Sequence, residues 1–227
     1  MLLSTPGFVL HTTPYGESSV IVKVFTRLLG VRSYIIKGGR GRSARTQQNL
    51  LQPLTCLDMV VYDNPRTELN HIKELSMHTP VQPSGPVDNA LRFFMTEVLY
   101  KSLQEAEPMP ALFDYVEEAT CQQPAAHIPV PFLLTVAWHL GIEPLDNYCP
   151  RESLFDLQEG RYVSVATETT LSPQLSALLH EYQSAEPQGV PLPLRRSLID
   201  ALLAYYHLHL ASFHSFTSHE ILHTVLK

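Results

Sequence analysis

The sequence predicts an α+β chain in which a small β-barrel precedes a mainly helical region. Three observations carry this. Residues 1–79 contain short runs that alternate apolar and polar side chains with period two. The breaker-rich stretch Thr79-Pro80-Val81-Gln82-Pro83-Ser84-Gly85-Pro86 follows, in which neither a helix nor a ladder can continue. Beyond it the apolar spacing changes to the threes and fours of helices. With 227 residues and 44% hydrophobic content, the chain can bury a real core, as one large or two small domains.

Gly7 to His11 reads as the first strand. In Ser19 to Thr26, Val20, Val22 and Val24 share one face while Ile21, Lys23 and Phe25 share the other. Leu29-Gly30 turns the chain into Val31 to Lys37, with Val31, Ser33 and Ile35 opposed to Arg32, Tyr34 and Ile36. Leu54 to Tyr62 is a fourth strand, and the turn Asp63-Asn64-Pro65-Arg66 leads to a fifth around Glu68 to Leu75. Five such strands suit a small closed or partly open barrel. Phe25 and Tyr34 are expected in its core or as cross-strand packing, rather than as platforms for bases. The domain boundary is expected at 80–86, which divides a barrel domain, 1–79, from a helical domain, 87–227. Helices are expected over Val87–Leu103, Ala111–Cys121, Phe132–Leu140 (stopped by Gly141), Ser172–Gln183 and Leu194–Phe213, with a short terminal one capped by Ser218.

Charge is unevenly distributed along this chain of net charge −6. Residues 1–80 hold nine Lys/Arg against five acids, a balance of +4, so the remainder carries −10. Such asymmetry points to one end that faces nucleic acid and another with a different task. The cations are densest in Lys37-Gly38-Gly39-Arg40-Gly41-Arg42-Ser43-Ala44-Arg45. Its glycines let backbone approach a polyanion, while its guanidinium forks match phosphate oxygens. Lys37, Arg40, Arg42 and Arg45 are therefore the first candidates for DNA contacts, with Lys23, Arg27 and Arg32 behind them; the plain alternative is a solvated hairpin tip.

Other chemistry is weaker. Cys56, Cys121 and Cys149 are odd in number and far apart, which reads as simple thiols in a reducing compartment. The opening MLLSTPGFVL lacks a signal peptide's basic start and long apolar core, and no run of about 18 apolar residues exists, so a cytoplasmic chain with no membrane partner is expected. His219-Glu220-Ile221-Leu222-His223 matches the letters of a zinc-hydrolase helix, but no downstream residues supply the usual third ligand. No nucleophile elbow or triad pattern is present. No catalytic residue, metal ligand or cofactor is assigned. A nucleic-acid-binding barrel remains the main reading, with an RNA-handling factor as its alternative, since such barrels accept either polymer.

The run GFVLHTTPYGESSVIVKVFTRLLGVRSYIIKGGRGRSAR, followed by LLQPLTCLDMVVYDNPRTELNHIKE, resembles the N-terminal domain of the RecO family of recombination mediators. Pro14-Tyr15-Gly16-Glu17-Ser18, Phe25-Thr26, Leu29-Gly30, Lys37-Gly38 and Leu51-Gln52-Pro53 carry the likeness, joined later by Leu140-Gly141-Ile142-Glu143-Pro144, Phe155-Asp156 and Glu159-Gly160. The resemblance implies an OB-fold barrel followed by a helical domain, acting in recombinational repair without being an enzyme. It implies binding of single- and double-stranded DNA, annealing of complementary strands, and partnership with RecR and with the acidic tail of single-stranded-DNA-binding protein, in loading RecA. It also implies a location in the cytoplasm, associated with the nucleoid. Many members carry a four-cysteine zinc site after the LGxxP stretch; here only Cys149 stands at its start, with Glu152 in the place of the second cysteine. For an acidic tail the adjacent pair Arg195 and Arg196 is the expected contact, bordered by Leu198, Leu202 and Leu203.

Overall fold

The period-two segments become β1 (Leu2–Tyr15), β2 (Ser19–Thr26), β3 (Gly30–Lys37), β4 (Cys56–Tyr62) and β5 (Leu69–Met77). They are followed by α1 (Pro86–Ser102), α2 (Pro110–Cys121) and α3 (Pro129–His139), the short strands β6 (Leu154–Asp156) and β7 (Arg161–Val163), then α4 (Pro173–Ser184), α5 (Leu192–His209) and α6 (Ser218–Val225). This computed structural model describes residues 2–17, 19–37, 50–64, 67, 69–78, 85–103, 107–121, 128–185 and 187–226.

β1 to β5 close into a barrel in the order β1-β2-β3-β5-β4, antiparallel except for the β3–β5 pair. That is the five-stranded architecture of an OB-fold. Val9, Val22, Val24, Tyr34, Leu57, Met59 and Val61 fill its interior. Gly7 is needed there because a Cβ would stand 2.5 Å from Val24 Cγ1 and 2.7 Å from Met59 Cε. Gly30, at φ +68°, makes the tight β2–β3 turn, which the Thr26 hydroxyl closes by donating to the Gly30 carbonyl and accepting from the Leu29 N–H. Leu54 also adopts a left-handed conformation (φ +57°), uncommon for a bulky side chain, and is held there by burial and by its N–H donating to the Val9 carbonyl.

The chain packs as two compact units, 1–123 and 124–227. The expected boundary at 80–86 marks where strands give way to helices, and 79–84 lie outside the described residues; by packing, α1 and α2 go with the barrel. Phe113 of α2 shows why, since its ring lies 4.8 Å from Phe8 and 5.6 Å from Phe25. Phe25 is consequently buried although it faces outward from β2.

In the second unit, α4 packs against β6, and α3, α4 and α5 pack against one another. Tyr206 donates to the Leu133 carbonyl and Tyr205 to the Ile142 carbonyl, tying α5 to α3 and to the segment after it. The buried Asp156 carboxylate accepts hydrogen bonds from the N–H groups of Gln158 and Glu159 and from the hydroxyls of Thr167 and Thr169, which pins the hairpin turn to 167–170. α5 ends at His209, short of the expected Phe213, and Thr217 rather than Ser218 occupies the N-cap of α6.

Candidate nucleic-acid interface

The β2–β3 register sets which cations share a face. Lys23 lies opposite Ser33, Ile21 opposite Ile35, and Ser19 opposite Lys37. Directly opposed residues share a sheet face, so Lys23 and Lys37 occupy the two ends of one outer face, with Ile21 and Ile35 between them. β1 extends that face, since Tyr15 pairs with Ser19 and Thr13 with Ile21. Tyr15, Ser19 and Lys37 thus form one row across three strands, directly before the glycine-rich loop. Tyr15 is 52% exposed and Lys37 is exposed. At the spacing of neighbouring strands, the row spans about 10 Å. Arg40, Arg42 and Arg45 lie outside the described residues.

Lys23, Arg32 and Arg27 have identifiable neighbours. Lys23 holds its ammonium 5.2 Å from the ring centre of Tyr100 on α1, and that ring stacks on His11 at 4.8 Å. Arg32 lies opposite Val24, on the face away from Lys23, and donates to the Val31 carbonyl at 3.0 Å. Arg27 grips Asp114 of α2 with two parallel bonds, Nε to Oδ1 at 2.7 Å and Nη2 to Oδ2 at 3.0 Å. The Arg27 hydrogen bonds hold the Asp114 carboxyl below its ordinary range. Of the aromatics, Phe25 and Tyr34 are core residues, as expected. They are not partners of one another: Phe25 lies opposite Val31 and Tyr34 opposite Val22. Burial pushes the Tyr34 phenol up, and its hydroxyl has no hydrogen-bond partner among the described residues. Tyr15, exposed in the row with Lys37, was not among the candidates drawn from the sequence; an aromatic ending a strand before a Gly16 turn was the available signal.

In the second unit, Arg195 and Arg196 leave α5 about 100° apart and bond different backbone segments. Arg195 donates to the Val190 carbonyl at 3.2 Å. Arg196 donates to the carbonyls of His223 and Leu226, capping the last turn of α6. Both guanidiniums of the expected carboxylate clamp thus commit Nη2 to backbone carbonyls. His219 and His223 lie on one face of α6 with ring centres 5.8 Å apart, and His223 Nε2 stands 3.6 Å from Asp200. Burial, reinforced by His219 and Arg196, holds His223 below the ordinary imidazole range. Among the described residues, the one trio of metal-ligating side chains whose donor atoms converge lies elsewhere.

The segment from Cys149, where the resemblance implies a four-cysteine zinc site in many members, does not fit a tetrathiolate. Cys149 and Glu152 exchange backbone hydrogen bonds at 3.0 Å, and the Glu152 carboxylate accepts from Asn147 Nδ2 at 2.9 Å. Asn147 also bonds the Tyr162 backbone in both directions, so side-chain amide and carboxylate bonds hold this loop.

Comparison with known proteins follows the same division. Residues 1–81 match the family described as Recombination protein O N terminal. Over its length the chain is 28% identical to DNA repair protein RecO of Bacteroides fragilis, covering 98% of each chain. It is 29% identical to DNA repair protein RecO of Porphyromonas gingivalis and 27% identical to that of Flavobacterium psychrophilum, covering 99% of each chain in both cases. With a five-stranded barrel where the family's N-terminal domain aligns, and relatives matched over nearly the full length, the chain is similar to RecO proteins throughout.

Proposed function

We propose that this protein is a DNA-binding mediator of recombinational repair, acting by annealing complementary strands and helping to load a recombinase onto protein-coated single strands. The observation that carries the reading is the row Tyr15–Ser19–Lys37, which joins an exposed aromatic to a cation at the root of the basic glycine-rich loop. OB-fold proteins bind oligonucleotides on this strand 2–3 face and its adjoining loops. Lys37, Arg40, Arg42 and Arg45 make the main phosphate contacts. Lys23 and Arg32 contribute less, and Arg27 least, because two of its donors are committed to Asp114. Tyr15 stacks on a base. The relatives named DNA repair protein favour DNA over RNA as the polymer. By the same kinship its partners are RecR, the single-stranded-DNA-binding protein tail and RecA, and its role is binding rather than bond making. Among the described residues no helix is long and apolar enough to cross a membrane.

The test is a titration of the full chain with labelled single-stranded DNA, duplex DNA and RNA, paired with an annealing assay on complementary oligonucleotides. Expected are tighter binding to DNA than to RNA and faster annealing than in the protein's absence. Equal or tighter RNA binding without annealing would transfer the barrel to RNA handling.

A further inference from the structure

One cluster lies outside the nucleic-acid face and was invisible to motif spacing. Cys56 opens β4, His78 follows β5, and Glu117 lies on α2; Cys56 Sγ, a ring nitrogen of His78 and a carboxylate oxygen of Glu117 all stand within 4.8 Å of one another. The barrel places the first two together, because the His78 N–H donates to the Cys56 carbonyl at 3.0 Å. α2 brings the third. Phe113 and Glu117 are one helical turn apart on the same face, so the docking of Phe113 against Phe8 and Phe25 carries Glu117 onto the β4–β5 edge. His78 Nε2 then stands 3.1 Å from Glu117 Oε1, while its Nδ1 is bonded to Asp58 Oδ1 at 2.8 Å. Asp58 shares its strand face with Cys56.

We infer that Cys56, His78 and Glu117 form a zinc site that staples α2 to the barrel. The donor set is one zinc accepts: a thiolate, an imidazole and a carboxylate, leaving a fourth position for solvent. Thiolate and carboxylate together neutralise the dication. Tetrahedral zinc places such ligand atoms about 3.3–3.6 Å apart, a contraction that side-chain torsions supply. Asp58 fulfils the outer requirement of a zinc-binding histidine, because accepting from Nδ1 fixes the ring with Nε2 aimed at the metal. The proton that Nε2 shares with Glu117 is the one zinc displaces. This site is separate from the cysteine cluster of the family's helical domain, since its ligands come from the barrel and α2.

Cobalt is the probe. The full chain, stripped by chelator and kept reduced by a non-thiol reductant, is titrated with Co²⁺ and the spectrum recorded. Expected is saturation at one equivalent with near-ultraviolet thiolate-to-cobalt charge transfer, displacement of that band by Zn²⁺, and a rise in Tm with zinc. The band should vanish in Cys56→Ser and persist in the His219→Ala, His223→Ala double variant. Asp58→Asn should weaken zinc binding about 10–100-fold, as loss of an outer-sphere partner does. A parent without the band, or a band that survives Cys56→Ser, overturns the site. Should Cys56→Ser fail to fold, Glu117→Gln on the helix surface decides: weaker cobalt binding upholds the site and unchanged binding overturns it.

Discussion

Gly7 shows how one missing side chain shapes the barrel. A Cβ there would meet Val24 and Met59 well inside contact distance, in an interior with no room to yield. Gly7→Ala is therefore expected to cost about 1–3 kcal/mol by overpacking, read as a lower urea midpoint at unchanged slope. A midpoint equal to the parent's would mean that Met59 swings aside freely. Asp156 makes the opposite case, a buried polar group kept by its partners. Burial alone would raise its carboxyl, but hydrogen bonds from Thr167, the Glu159 N–H, Thr169 and the Gln158 N–H outweigh that and hold it below the ordinary range. With the folded pKa below the unfolded value of about 3.9, the stabilisation is complete above that pH and disappears as pH falls through the folded value. The stability gap between parent and Asp156→Asn should thus be constant at neutral pH and close on acidification below about pH 4. A gap that stays level to pH 2 would show that the carboxylate's charge is irrelevant to the hairpin.

At the scale of elements, α2 is one of two helices that pack with the barrel in the first unit. Its hold is unequal along its length: Phe113 buries a whole ring against two others, whereas Asp114 pairs with Arg27 at side-chain exposures of 50% and 40%. Burial should dominate, because exposed ion pairs trade solvation for little gain. Phe113→Ala is expected to cost about 3–5 kcal/mol, with Asp114→Asn far milder in the same denaturation series. Comparable destabilisation by the two would give the ion pair the larger share. These elements were unequally legible in the sequence. Strands β2 and β3 announced themselves by alternation, but β1 runs to Tyr15 rather than His11 because its last residues pair with β2 while exposed, leaving no apolar pattern. β6 and β7, at three residues each, are too short for a period to register. Phe25 reads as outward-facing from its strand, and only the arrival of Phe113 buries it. The same distance along the chain hid Cys56, His78 and Glu117, while Lys23 and Arg32 were readable as strand cations, which the register places on opposite faces.

The molecule as a whole is acidic yet is proposed to grip a polyanion, so binding has to be governed by where charge sits rather than by its sum. Two quadruple variants separate these. Lys37, Arg40, Arg42 and Arg45→Ala removes four positive charges from the proposed DNA-binding loop. Glu143, Glu168, Glu181 and Glu220→Gln removes four negative charges from exposed positions of the second unit. Each phosphate that a cation neutralises sheds condensed counterions, so removing one such cation lowers the log–log dependence of affinity on salt by about 0.7–0.9. The loop variant should therefore flatten that slope by about 3 with single-stranded DNA. Carboxylates make no phosphate contacts and so release no condensed ions, and the glutamate variant should raise affinity slightly at low salt and leave the slope as it was. If both slopes instead shift in proportion to net charge, DNA responds to the protein's overall field and the loop is a solvated tip. If the loop variant alone flattens, adding Tyr15→Ala to it should lower affinity by a further amount that does not vary with salt, because stacking, at about 1–3 kcal/mol per base, releases no counterions.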